Sequence, residues 1–179
     1  MTVKAQLQLM AQYNRWMNNN ILLEVSNLDP DAVYQDLGAF FKSIGGTLNH
    51  ILVGDIIWLK RYMDHSTTFS SLTALSKFEQ PQALDQLLHQ DISRLAQSRE
   101  EVDRILVDLC DEVTDYDLDQ SLTYKNTGGE IFSRPFGALM LHLFNHQTHH
   151  RGQITTLLNQ SGVDPGVTDL LKIIPIVGP

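Results

Sequence analysis

Phe136-Gly-Ala-Leu-Met-Leu-His142-Leu-Phe-Asn-His146-Gln-Thr-His149-His150-Arg-Gly-Gln-Ile-Thr-Thr-Leu-Leu-Asn-Gln160 reads as one long helix, and that reading decides the architecture. Phe136, Leu139, Leu143, Ile154 and Leu158 carry its apolar positions, and Gly162 ends it. Ser133 or Arg134 suits the cap, with Pro135 in the first turn, where a missing N–H costs nothing. Four of the chain's 7 histidines fall between positions 142 and 150. His146 and His150 are four residues apart and share one helical face, so a rigid rod presents two neutral imidazoles to one ion. His142 lies a turn before His146 and reads as core-facing. His149 is rotated about 100° from His150 and reads as a surface residue or one that orients a ligand.

Working outward, Ser121-Leu-Thr-Tyr-Lys and Glu130-Ile-Phe-Ser flank Asn126-Thr-Gly-Gly, the pattern of a short β-hairpin set just before the last long helix. Three further helices precede it. Leu7, Met10, Tyr13, Asn14, Met17, Ile21 and Val25 repeat at three- and four-residue steps over residues 3 to 27. Asn27-Leu-Asp-Pro-Asp breaks that helix. A second helix runs from about Ser43 to Met63, with Ile44, Leu48, Ile51, Asp55 and Trp58 along one side. Gly45-Gly46 near its start allows close backbone approach. A polar connection then leads to Pro81, which suits the first turn of a third helix extending to about Val113. A short terminal helix is expected from Val167 to Ile173. Four long helices joined by connections of different lengths predict an all-α antiparallel bundle in a single domain, residues 1–179, with one hairpin inserted.

Composition excludes several function classes. A formal charge of −8 disfavours nucleic acid and anionic membrane surfaces, which select clustered Lys and Arg. No apolar run approaches the roughly 20 residues needed to span a bilayer. The first residues lack a signal peptide's apolar centre, and the single Cys110 forms no internal disulfide, so a cytoplasmic protein is expected.

Two imidazoles seldom complete a metal site. His50 is the best third candidate, because it lies inside a helix and Gly54 removes bulk one turn later. Trp58, one further turn on, is placed to wall a pocket. His65, at the start of a loop, and His89, among polar residues, are weaker. The spacing of His146 and His150 matches H-E-x-x-H, yet Gln147 stands at the position of the general base, and an amide accepts no proton at neutral pH. The carboxylate set of a di-iron bundle is missing too. Asp55 is the one acidic residue on the second helix's face and the one nominee for a hydrolase base. Three imidazoles suit zinc, nickel, copper, cobalt or iron alike.

Asn145-His-Gln-Thr-His-His-Arg-Gly-Gln153, together with Leu48-Asn-His50, Trp58 and Tyr13-Asn-Arg-Trp16, resembles the DinB/YfiT-like metalloproteins over essentially the whole chain. The resemblance implies a four-helix bundle connected up-down-down-up and a metal site formed by His50, His146 and His150. It implies nickel or zinc as the ion and a homodimer as the assembly. It further implies a thiol-dependent transferase or isomerase acting on a small electrophilic molecule with a low-molecular-weight thiol, no residue beyond the metal ligands being assigned to catalysis. Asn49, Asp55, His142, His149 and Gln153 are candidates to orient the ligands. Arg151 is expected to pair with a carboxylate on a neighbouring helix, and Gly152 to let a helix approach. A non-catalytic metal-binding stress protein and a metal-dependent hydrolase are the competing readings.

Overall fold

The computed structural model describes residues 1–178, and within them the chain is mostly helical with one small antiparallel sheet. Helix α1 spans Val3–Ser26, α2 Pro30–Tyr34, α3 Ile44–Tyr62, α4 Ile92–Glu112, α5 Asp115–Asp119 and α6 Phe136–Gln160. Strands β1 (Ser121–Lys125) and β2 (Ile131–Pro135) form the expected hairpin, with Leu122 opposite Arg134 and Tyr124 opposite Phe132. Single 3-10 segments cover Ser70–Lys77 and Leu170–Lys172. Among the described residues, no helix is long and apolar enough to cross a membrane.

Local chemistry sets the helix ends. The Ser43 hydroxyl accepts from the Gly46 N–H at 3.0 Å, and the Asp91 carboxylate accepts from Ser93 and Arg94 N–H groups, each satisfying donors that the first turn leaves free. Asp91 therefore starts α4 at Ile92, eleven residues after the expected start at Pro81. The intervening residues are irregular because they are fastened to α3 instead. Asn49 accepts from the His89 N–H at 3.0 Å and donates to the His89 carbonyl at 3.0 Å. Leu84 and Leu87 of this segment are 47% and 43% exposed. Pro135 closes β2 and precedes α6 rather than entering its first turn. The expected terminal helix is only the 3-10 turn, tied down where the Tyr13 hydroxyl donates to the Thr168 carbonyl at 2.5 Å. The short helices α2 and α5 had no periodic signal, being five residues each.

Helix α1 packs against α4 and α6, and α3 packs against α6 and α4. Leu7, Met17 and Ile21 from α1, Ile56 and Leu59 from α3, Leu106 and Leu109 from α4, and Phe144, Ile154 and Leu158 from α6 are all within 1% of full burial. Each such side chain contributes about 1.5–3 kcal/mol relative to exposure, which outweighs the weak individual propensities. Gly45 permits the docking of α2, since a Cβ there would lie 2.4 Å from the Tyr34 ring.

A polar layer crosses this core. Arg99 of α4 donates to Asp55 of α3 at 2.5 Å and forms an ion pair with Asp103 at 2.9 Å. Asn18 of α1 donates to Asp103 at 3.0 Å. Gln147 of α6 donates to Asp55, and Arg151 donates to Gln147 at 3.0 Å and to Asn14 of α1. All seven side chains are buried, and all four long helices contribute. Such a layer specifies register, because a slip would strand charges in an apolar interior.

Candidate metal centre

Gln147 and Arg151 each follow a histidine by one residue, so they point about 100° away from His146 and His150 around α6. With Gln147 and Arg151 held in the polar layer, the helix is fixed in rotation and the two imidazoles face α3. There they meet His50. Its Nε2 lies 3.1 Å from His146 Nε2 and 3.2 Å from His150 Nε2. These three histidines form the cluster that could hold a metal ion, and no carboxylate or thiol of the described residues joins it.

The protonation pattern is legible from the partners. The Leu84 carbonyl can only accept, so His50 carries its proton on Nδ1, donating at 2.8 Å. The Gln153 side-chain oxygen accepts from His150 Nδ1 at 2.8 Å in the same way. Both rings thus turn an Nε2 lone pair toward one point. The Nε2 lone pairs of His50 and His150, 3.2 Å apart, repel one another unless a cation lies between them. With nitrogen–metal bonds of about 2.0–2.1 Å, tetrahedral ligand nitrogens stand about 3.3 Å apart and octahedral neighbours about 2.9 Å, so the observed spacing fits a divalent transition ion. A proton is a poor substitute. Burial lowers the pKa of His50 and of His150, and burial with neighbouring imidazoles pulls His146 down to about 3.

Gly54 makes room for this arrangement, since a Cβ there would sit 3.0 Å from His146 Cε1. Phe41 stacks on His50 with ring centroids 3.7 Å apart and meets His150 edge-on at 5.6 Å, shielding one side of the cluster. It is placed by a tight turn in which the Leu37 N–H donates to the Lys42 carbonyl at 2.7 Å and Lys42 adopts φ 68°. Neither Phe41 nor the Leu84 carbonyl was foreseen. A backbone carbonyl has no sequence signature, and Phe41 sits in a connection without periodicity.

The remaining candidates divide. Gln153 holds His150 through the 2.8 Å bond to its Nδ1. Asn49 acts indirectly, clamping the segment whose Leu84 carbonyl fixes His50. His149 is exposed, meeting His150 edge-on at 4.8 Å, and the Gln153 amide lies 3.3 Å from its Nε2. His142 is exposed rather than core-facing; it packs edge-on against Trp58 at 5.1 Å because its position on α6 faces the hairpin side. Trp58 touches His142, Tyr124 and Arg61 rather than the three converging histidines. Asp55 is fully buried and committed to Arg99 and Gln147, with its pKa pushed up to about 6 by burial. It does not reach the cluster, which leaves a hydrolase without its nominated base. Arg151 pairs with the amide oxygens of Asn14 and Gln147 and with the Tyr13 ring at 5.3 Å, not with a carboxylate. Gly152 faces open space, so no helix approaches there.

Cys110 is buried in the core, its thiol pKa raised to about 12 by desolvation, so no nucleophilic thiolate comes from the chain itself.

The chain is 27% identical over 163 residues to Protein DinB of Bacillus subtilis (strain 168), covering 88% of this chain and 87% of that protein. No solved structure matches it. The model of the DinB family matches residues 1–175, and with that match the chain belongs to the DinB family.

Proposed function

We propose that this protein is a divalent-metal-dependent enzyme, a thiol-dependent transferase or isomerase that acts on a small electrophilic molecule, with nickel or zinc as its ion. The observation that carries the proposal is the convergence of His146 Nε2 and His150 Nε2 on His50 Nε2, at 3.1 Å and 3.2 Å, with the protons of His50 and His150 fixed on the far nitrogen. Three neutral ligands fill only part of a coordination sphere and leave the ion's charge uncompensated, the arrangement of a catalytic rather than a closed structural site. A bound ion would supply Lewis acidity, favouring the thiolate form of an incoming thiol at neutral pH. The chain's own residues do the rest. Leu84 and Gln153 hold the tautomers, Phe41 excludes water from one side, and the buried layer at Gln147 and Arg151 fixes the rotation of α6. The inert Cys110 and the commitment of Asp55 elsewhere favour an external thiol over an internal nucleophile or base.

The helix contacts support the up-down-down-up bundle for this scaffold. The α1–α4 and α3–α6 pairs make the broad interfaces, and the stretch from Met63 to Asp91 is long enough to carry the chain back before α4.

The test is elemental analysis of untagged protein, followed by thiol-conjugation assays against a panel of electrophiles. The expected result is about one nickel or zinc per chain and turnover that His146→Ala abolishes together with the metal. Equal turnover by metal-free protein would refute the proposal. Stoichiometric metal without turnover of any panel member would favour a non-catalytic metal-binding protein.

A further inference from the structure

A cleft of about 680 Å³ opens between the C-terminal half of α3, the segment Gln80–Leu84 and the β-hairpin. Its wall gathers three cations, Lys60, Arg61 and Lys125, against one carboxylate, Asp64. This is unusual in a chain with 21 acidic and 13 basic residues, where a basic residue's default neighbour is an acid. None of the three cations forms an ion pair among the described residues; the ion pairs found join Lys77 to Glu101 and Arg99 to Asp55 and Asp103. Arg61 is half-buried, its guanidinium 4.6 Å over the Trp58 ring and 5.3 Å over the Tyr124 ring. Ring contact on its faces leaves the planar donor fork free at its edge and already oriented, the geometry that selects carboxylate or phosphate oxygens.

The cleft adjoins the histidines. Leu84 lines it while its carbonyl fixes His50. A chain of rings runs from His146 to His142 at 6.2 Å, from His142 to Trp58 at 5.1 Å, and from Trp58 to Tyr124 at 5.1 Å. Along α3, the eight residues from His50 to Trp58 correspond to about 12 Å, within reach of one extended small molecule.

We propose that this cleft binds the carboxylate or phosphate group of a small acidic molecule whose other end reaches the three histidines. Arg61 supplies the oriented fork, Lys60 and Lys125 supply attraction, the Tyr124 ring lines the wall, and the Trp58 ring backs Arg61. The link to the histidines rests on the function proposed above, whereas anion binding in the cleft needs no metal. That difference separates the two in experiment.

Trp58 serves as the reporter. The protein as purified is titrated at low ionic strength with succinate, with inorganic phosphate and with neutral succinamide, and tryptophan fluorescence is followed. A saturable response to succinate or phosphate, absent with succinamide and weakened by 0.5 M NaCl, is expected. A response to one anion alone identifies the acid group. Arg61→Gln should weaken binding about tenfold or more, with metal content unchanged. Lys125→Gln, on an exposed strand residue that folding does not require, should weaken it several-fold. His146→Ala should lose metal and keep anion binding. Equal responses to succinate and succinamide would overturn the proposal. So would binding unchanged in both cleft variants, or binding lost in His146→Ala but kept in Arg61→Gln, which would put the anion on the metal.

Discussion

Gly54→Ala should make the metal-free protein more stable and the metal site worse. Gly54 lies inside α3, where alanine in place of glycine gains about 0.5–1 kcal/mol through backbone entropy. Its missing Cβ is the space that the His146 ring uses, since an added Cβ would stand 3.0 Å from His146 Cε1. Carbon atoms settle at about 3.5–4.0 Å, so the ring must retreat by about 0.5–1 Å. In the metal-free protein that retreat is cheap, because His146 is half-buried and its Nδ1 has no hydrogen-bond partner among the described residues. With an ion bound it is not, because metal–nitrogen distances tolerate only about 0.2 Å. Misplacing one of three ligands should then weaken affinity about tenfold or more, on the scale of losing a group that orients a ligand. The assay pairs calorimetric titration of stripped protein with zinc or nickel against thermal melts without metal. The expected result is an apo midpoint raised by about 1–4 °C beside a dissociation constant at least tenfold higher. Unchanged affinity in the alanine variant would refute the idea that Gly54 is there to clear the ring.

Acid should destabilise the metal-free protein through the histidines. The folded-state pKa of His146, about 3, lies below that of an unfolded histidine, near 6.5, so its contribution is present above pH 6.5 and is lost as pH falls toward 3. Asp55, raised to about 6, acts in the opposite sense, its contribution being lost as pH rises through 6, so the comparison is the parent melt minus that of His146→Gln between pH 7 and 5. A difference that does not change with pH contradicts the assignment. Arg99→Ala should cost about 3–5 kcal/mol in urea unfolding, because it leaves Asp55 and Asp103 buried without their cation; a loss below 1 kcal/mol would show that the layer is wetter than the structure implies. Cys110 should resist a thiol-specific reagent in the folded protein and react at once in denaturant, and fast labelling of the native chain would contradict its burial.

The long helices and the hairpin were legible because each rests on local information. The period of Leu139, Leu143, Ile154 and Leu158 marks α6, and Asn126-Thr-Gly-Gly marks the turn between β1 and β2. The start of α4 was misplaced because Pro81 and the leucines after it satisfy local helix rules equally well. What decides against them is Asn49, forty residues away, holding His89 by its backbone. His142 was misjudged for a related reason: helical period fixes relative angles around α6, not which face meets the core.

Sequence by itself determined that His146 and His150 share a face, that Gln147 cannot serve as a base, and that the chain carries one thiol in all. Only tertiary structure decided that His50 completes the cluster, that Leu84 and Gln153 fix its protons, and that Asp55 is committed to Arg99. The physical reason is separation. Ligand spacing on one helix is set by 3.6 residues per turn. The meeting of α3 with α6 depends on a buried polar layer from all four long helices, whose partners lie up to 137 residues apart along the chain.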